Sequence, residues 1–148
     1  MRIYLDNCCL MRDFDNQSQP RIRMETLAVA AVLERIRLNR WSWVAGDTLR
    51  REMLACPIAD RRERGLLTLE YANKFVRFTP PIAALTDKFV KYGIRWMDAA
   101  HFASAEYAEC DLFLTTDDDL LRRLRGLPYA LRVRPLNPVE AVLEGNVP

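Results

Sequence analysis

The stretch Leu112-Phe113-Leu114-Thr115-Thr116-Asp117-Asp118-Asp119 runs a short apolar segment through a hydroxyl-bearing turn into an acidic helix start. Leu112 to Leu114 predicts a buried strand, Thr115-Thr116-Asp117 the turn out of it, and Asp118 to Arg125 the helix that follows. The chain opens in the same way, because Arg2-Ile3-Tyr4-Leu5 reads as a short buried strand that hands over directly to Asp6. Working outward, the segment from Asn7 to Pro20 reads as a polar loop. Arg21 to Asn39 carries a helical pattern with Leu27, Ala30, Ala31, Leu33 and Ile36 as core contacts. Trp41 to Ala45 predicts a second strand, ended by Gly46-Asp47, with Asp47 or Thr48 capping the next helix. Glu52 then lies one turn into that helix, near its N-terminal end.

Beyond Pro57, Asp60 to Ala72 predicts a helix with Leu66, Leu67 and Leu69 inward and its basic residues outward. Phe75 to Phe78 reads as a short strand, and Pro80-Pro81 opens a helix to about Tyr92 that Gly93 ends. Met97 to Ala108 is an alanine-rich helix suited to close packing, with Asp98 in its first turn. Arg132 to Arg134 predicts a last strand, and Asn137-Pro138 caps a helix to about Glu144. The alternation predicts an α/β fold, a three-layer α/β/α sandwich around a mostly parallel sheet, in one domain over residues 1–148. Ligand sites in such sheets form beyond the carboxyl ends of the strands. Asp6 and Asp117 directly follow strands, and Glu52 and Asp98 sit at helix starts that can face the same edge.

Gathering these acids has a chemical consequence. Two carboxylates about 5 Å apart at an effective dielectric of about 20 repel by roughly 3 kcal/mol, so a cluster raises its own pKa values unless a cation lies between them. Carboxylate oxygens with room for water suit Mg²⁺ or Mn²⁺ rather than zinc, and the usual substrate of such a site is a phosphate ester. Each acid also has a plain structural role open to it: solvation at a strand end for Asp6, a surface position for Glu52, interaction with a helix dipole for Asp98, and helix capping for Asp117 to Asp119.

Composition sets the frame for this site. With 148 residues, half of them hydrophobic, and a net charge of +2, the chain can bury a core, and it has no apolar run of 18 residues. A soluble, cytoplasmic protein with no membrane segment is expected. Cys8, Cys9, Cys56 and Cys110 lack C-x-x-C spacing and His101 is the sole histidine, which argues against structural zinc and for reduced thiols. The pair Cys8-Cys9 directly after Asp6 can either pack under the loop or sit near a metal. His101 reads as a packed or surface residue one turn from Asp98 rather than a base. Basic residues are mostly arginines in groups, such as Arg50-Arg51 and Arg122-Arg123, which can line a nucleic-acid track or form solvated helix faces.

Taken together, Tyr4-Leu-Asp6, Glu52, Asp98-Ala-Ala-His-Phe-Ala103 and Leu112-Phe-Leu-Thr-Thr-Asp117-Asp-Asp119 resemble the acidic signature of the PIN-domain nucleases, including the toxins of VapBC-type toxin–antitoxin modules. The resemblance covers nearly the whole chain. It implies a metal-dependent endoribonuclease in which Asp6, Glu52, Asp98 and Asp117 are the catalytic acids. Asp6, Asp98, Asp117 and Asp119 are then the metal ligands, and Thr115, Arg12 and Arg51 the substrate contacts. It further implies an RNA substrate, a homodimer and a cognate antitoxin. Trp41, Trp43, Phe89, Tyr92 and Trp96 are available either as core or as partner contacts. The Asp-x-Asp of haloacid dehalogenases and the paired acids and late lysine of response-regulator receivers are missing. The competing reading is a non-catalytic PIN-like module that binds RNA or protein.

Overall fold

The computed structural model describes residues 1–145. Five strands, β1 (Arg2–Leu5), β2 (Ser42–Gly46), β3 (Lys74–Val76), β4 (Leu112–Leu114) and β5 (Arg134–Leu136), form one sheet in the order β3-β2-β1-β4-β5. Every pairing is parallel. Parallel neighbours need crossovers, and helices supply them: α1 (Asn7–Leu10) and α2 (Pro20–Arg37) after β1, α3 (Asp47–Leu54) and α4 (Ala59–Leu69) after β2, and α5 (Pro80–Val90) and α6 (Trp96–Tyr107) after β3. Helix α7 (Asp118–Arg125) joins β4 to β5, and α8 (Pro138–Glu144) follows β5.

Alternation along the strands sorts side chains into two cores, because successive residues point to opposite faces. Ile3, Leu5, Trp43, Ala45, Leu112 and Leu114 pack with residues of α1, α2, α3 and α8. Tyr4, Val44 and Phe113 face the other way, onto Ile82 and Phe89 of α5, Phe102 of α6 and Leu120 of α7. The sheet is therefore covered on both faces, which is what continuous apolar triplets such as Leu112-Phe-Leu require. The three-layer α/β/α architecture expected from the element order is the one found.

The strand order places a switch point beside β1. From β1 the chain first builds β2 and β3 on one side, then crosses to lay down β4 and β5 on the other. At such a point the two loops leaving the adjacent strands diverge and open a crevice. Asp6 leaves β1 and Thr115 to Asp117 leave β4 there, joined by the Asp6 N–H donating to the Leu114 carbonyl at 2.9 Å.

Several local expectations are corrected. The segment from Asn7 to Pro20 is not a plain polar loop. It holds α1, a 3₁₀ turn over Arg12–Phe14 and the start of α2, pinned by Arg64, which pairs with Asp13, donates to the Leu10 carbonyl and covers the Phe14 ring. In α2 the buried stripe is Glu25, Ala28, Val29, Val32 and Ile36, while Leu27 is 63% exposed and Ala30 is also exposed. A stripe read from apolar residues alone slides off its face when one member is a buried Glu. Arg12 and Arg21 make that burial tolerable by pairing with Glu25.

In α4, Leu67 is exposed and Leu69 is buried, with Gly65 making room for Met11 and Met53. Asp47 caps no helix: Gly46 is the N-cap of α3, and Asp47 accepts the Phe78 N–H at 2.8 Å. Strand β5 lies two residues later than expected because Pro135, which reads as a breaker, sits on an edge strand where its missing N–H costs nothing. Trp41, Trp43 and Phe89 are core, whereas Tyr92 and Trp96 are exposed.

Candidate metal centre

Asp6 is only 5% exposed, and a buried carboxylate needs donors. It has three: the Asn7 N–H at 2.8 Å to Oδ1, and the Thr115 hydroxyl at 2.9 Å and Cys8 thiol at 3.4 Å to Oδ2. Thr115 is fully buried, and its hydroxyl also accepts the Asp117 N–H at 3.2 Å. One threonine thereby links the acid after β1 to the acid after β4. Asp117 is the N-cap of α7, its Oδ1 accepting the Leu120 N–H at 3.1 Å, which leaves Oδ2 turned to Arg95, 4.0 Å away.

Glu52, in the second turn of α3, reaches the same place through His101. That imidazole is wholly buried on α6 and its Nε2 is hydrogen-bonded to Glu52 Oε2 and 3.7 Å from Asp6 Oδ1. Its Nδ1 lies 2.7 Å from the Tyr4 hydroxyl. Burial, with the charges of Asp6 and Glu52 adding to it, pushes the Tyr4 pKa well up, so the phenol keeps its proton. It can donate to Nδ1 of a neutral imidazole, which places the Nε2–H on Glu52. Burial alone would lower the His101 pKa. The bond to Glu52 and the charges of Asp6, Glu52 and Asp98 outweigh it and hold the pKa above the ordinary value. Among the described residues, Asp6, Glu52 and His101 form a group whose ligand-type atoms all lie within 4.8 Å of one another.

Asp98, in the first turn of α6, completes the ring. Burial, then the charges of Asp6 and Asp117, push its pKa up to about 6, with Arg95 and His101 pulling the other way. Arg95 stands at the mouth, 3.7 Å from Asp98 and largely exposed. The four acids come from four separated segments and share one field at the carboxyl edge of the sheet. The donors on offer are carboxylate oxygens, while the Cys8 sulfur is engaged with Asp6, Thr115 and the Thr116 N–H and the imidazole nitrogen is turned to Glu52. That set fits a hard divalent cation such as Mg²⁺ or Mn²⁺.

Asp119 is half exposed, pairs with Arg122 and Arg123, and lines a small cavity together with Asp98 and Arg95. Arg12 is held by Asp15 and Glu25. Arg51 is exposed on α3 beside a cleft next to the acids. Most grouped arginines face carboxylates: Arg21 meets Asp118, Arg125 meets Glu140, Arg132 meets Glu109 and Arg134 meets Glu144. Of the adjacent cysteines, Cys9 is in the core and Cys8 is at the site. His101 is packed, one of the two places expected for it one turn from Asp98, but its bonds to Glu52 and Tyr4 and the position of Arg95 at the mouth were not expected from the sequence.

A five-stranded parallel sheet with an acidic crevice at its switch point defines a class, and the PIN domain family matches over residues 3–127. The chain belongs to the PIN domain family. Among solved structures it is similar to a toxin–antitoxin complex from Klebsiella pneumoniae, with 16% sequence identity and a TM-score of 0.58, over 92% of this chain and 97% of that one. It is also similar to VapBC2 from Rickettsia felis bound to a DNA fragment from their promoter, with 13% identity and a TM-score of 0.58, over 93% of this chain and 98% of that one. At such identities the likeness is one of fold. No curated protein matches the sequence. No helix among the described residues is long and apolar enough to cross a membrane.

Proposed function

We propose that this protein is a metal-dependent endoribonuclease that hydrolyses RNA phosphodiester bonds, and that it acts as the toxin of a toxin–antitoxin pair. The observation that carries the reading is the convergence of Asp6, Glu52, Asp98 and Asp117 on one crevice, where burial, with the charges of Asp6 and Asp117 added, pushes the Asp98 pKa up to about 6. A strained carboxylate of this kind is what a divalent cation relieves. Asp6, Asp98 and Asp117 would hold Mg²⁺ or Mn²⁺, with Asp119, which shares a small cavity with Asp98, as a further ligand once released from its arginine partners. A bound cation supplies Lewis-acid activation of water and neutralises charge on the phosphoryl oxygens.

The chain's own residues do the rest. Thr115 fixes the spacing of Asp6 and Asp117, and the Tyr4–His101 pair fixes Glu52 by one carboxylate oxygen, leaving the other to orient the attacking water. Arg95 at the mouth can meet a phosphate oxygen of the substrate. In-line attack would leave a 5′-phosphate and a 3′-hydroxyl. The likeness to a solved toxin–antitoxin complex supports a cognate antitoxin as partner, and from the family resemblance alone we propose a homodimeric state and a cytoplasmic site of action.

The test is cleavage of a mixed single-stranded RNA panel with Mg²⁺ or Mn²⁺, against EDTA and against an Asp6→Asn, Asp98→Asn double variant. Cutting that requires the metal and disappears in the variant is the expected result. Cutting that survives either control, or none by folded protein free of partner, would end the reading and favour a binding module.

A further inference from the structure

We infer that Trp96, with Arg50, Arg51 and Phe78, forms a stacking subsite for an unpaired RNA base next to the bond that is cut. The ligand class rests on the nuclease reading, while the site itself rests on separate observations. A cleft of about 480 Å³ opens between α3 and α6, lined by Thr48, Arg50, Arg51, Leu54, Phe78 and Trp96 among others. Its two walls are the helices that carry Glu52 and Asp98, and Trp96 is two residues from Asp98. None of the four acids is in the lining, and a base seated there would belong to a nucleotide flanking the one whose phosphate meets them.

The lining is unusual for this molecule. Trp41 and Trp43 are buried, but Trp96 is 45% exposed, its ring tilted against Phe78 with centroids 5.7 Å apart. Leu54 beside it is also exposed. Among the described residues the side chains of Arg50 and Arg51 make no hydrogen bond, ion pair or ring contact, as is also true of Arg23 and Arg40 outside the cleft, while the arginines of α7 and β5 are all engaged with carboxylates or carbonyls. The one acid in the lining, Asp47, is occupied by the Phe78 N–H. An aromatic face flanked by free guanidinium groups matches a base with its phosphates, since any base offers a π-face and the charge is complementary. It suits a strand whose bases are unstacked rather than a duplex. A protein partner for the same face would need acidic side chains to answer these arginines.

The experiment uses the whole protein in EDTA, so that binding is read without cleavage. A labelled single-stranded RNA oligonucleotide of mixed sequence is titrated at low salt, following label anisotropy and tryptophan emission together. Because Trp96 is the exposed one of three tryptophans, bound RNA should quench that emission. Trp96→Ala should weaken binding roughly ten- to a hundredfold, Trp96→Phe should stay within about threefold of the parent, and Arg50→Ala with Arg51→Ala should flatten the salt dependence. The same sequence as a duplex should compete poorly.

RNA that binds without quenching, a Trp96→Ala protein that binds as tightly as the parent, a duplex that competes equally, or no binding at low salt would each overturn the subsite and leave the face to a protein partner. Quenching in the unaltered protein keeps the question answerable if Trp96→Ala fails to fold. Failure here with intact metal-dependent cleavage removes the subsite alone, whereas quenching without cleavage removes the nuclease reading alone.

Discussion

Asp98 holds a carboxyl whose folded pKa stands near 6, above the ordinary 3.8. The folded protein therefore binds more protons than the unfolded chain between these values. The stabilising contribution is full below about pH 3.8 and is lost as pH rises through about 6. In EDTA, urea midpoints should fall across this window by an amount worth roughly 2 kcal/mol relative to Asp98→Asn, in which the slope contributed by this residue disappears. An equal slope in both proteins would refute the assignment.

His101 makes a second prediction. His101→Ala empties a wholly buried position and strands the buried Tyr4 hydroxyl, while Glu52, a third exposed, turns to water, and should cost about 3 kcal/mol by urea denaturation. Tyr4→Phe keeps the ring stacked on Phe113 and should cost only about 1 kcal/mol. Asp6, Asp98 and Asp117 were legible in the sequence because each stands at a strand end or a helix start, whereas Glu52, expected near the start of its helix, lies in the second turn of the eight-residue α3. The Tyr4–His101–Glu52 chain was not legible, since its members lie far apart along the sequence and only the assembled sheet and helices bring them together.

At the level of elements, ends and close approaches decide more than propensity. Helix α8 begins with a reciprocal capping box between Asn137 and Glu140. Asn137→Ala should therefore lower stability by about 1 kcal/mol, as read from thermal unfolding. Gly46 tests a different cause. Its backbone is extended, so conformation is no obstacle, but a Cβ there would lie 2.7 Å from the Val76 carbonyl oxygen. Gly46→Ala must push β2 from β3 and should cost about 2–3 kcal/mol. Gly65→Ala, which meets the flexible Met11 and Met53 side chains, should cost less in the same assay. Sequence patterning found α5, α7 and α8 nearly to the residue, because prolines, a glycine at positive φ (Gly93) and an Asn cap punctuate them. It missed α1, a single turn whose reason for existing is the tertiary hold of Asp6 and Arg64.

For the molecule as a whole, occupancy of the acidic crevice should appear as stability. A cation present at a hundred times its dissociation constant adds about 2.7 kcal/mol, which for a chain of this size is a rise of about 5–10 °C in Tm. Scanning calorimetry with Mg²⁺ or Mn²⁺ against EDTA should show the rise, and Asp6→Asn should remove most of it. An unchanged Tm in the parent at saturating metal would argue against the centre. The parallel sandwich itself was readable from the alternation of strand and helix signals. The order of strands was not, because which side of β1 receives β4 depends on packing that only the assembled sheet expresses.

That order also governs when the protein can become itself during synthesis. β1 emerges first yet sits in the middle, and the neighbour that fixes Asp6 on one side, β4, is separated from it by most of the chain. A ribosome must deliver everything from Asp6 through Asp117 before Thr115 can bridge the two acids. A growing chain thus holds its future carboxylates apart in time as well as in space. If it is an enzyme that cuts RNA, its own message has been read almost to that point before any cutting centre exists.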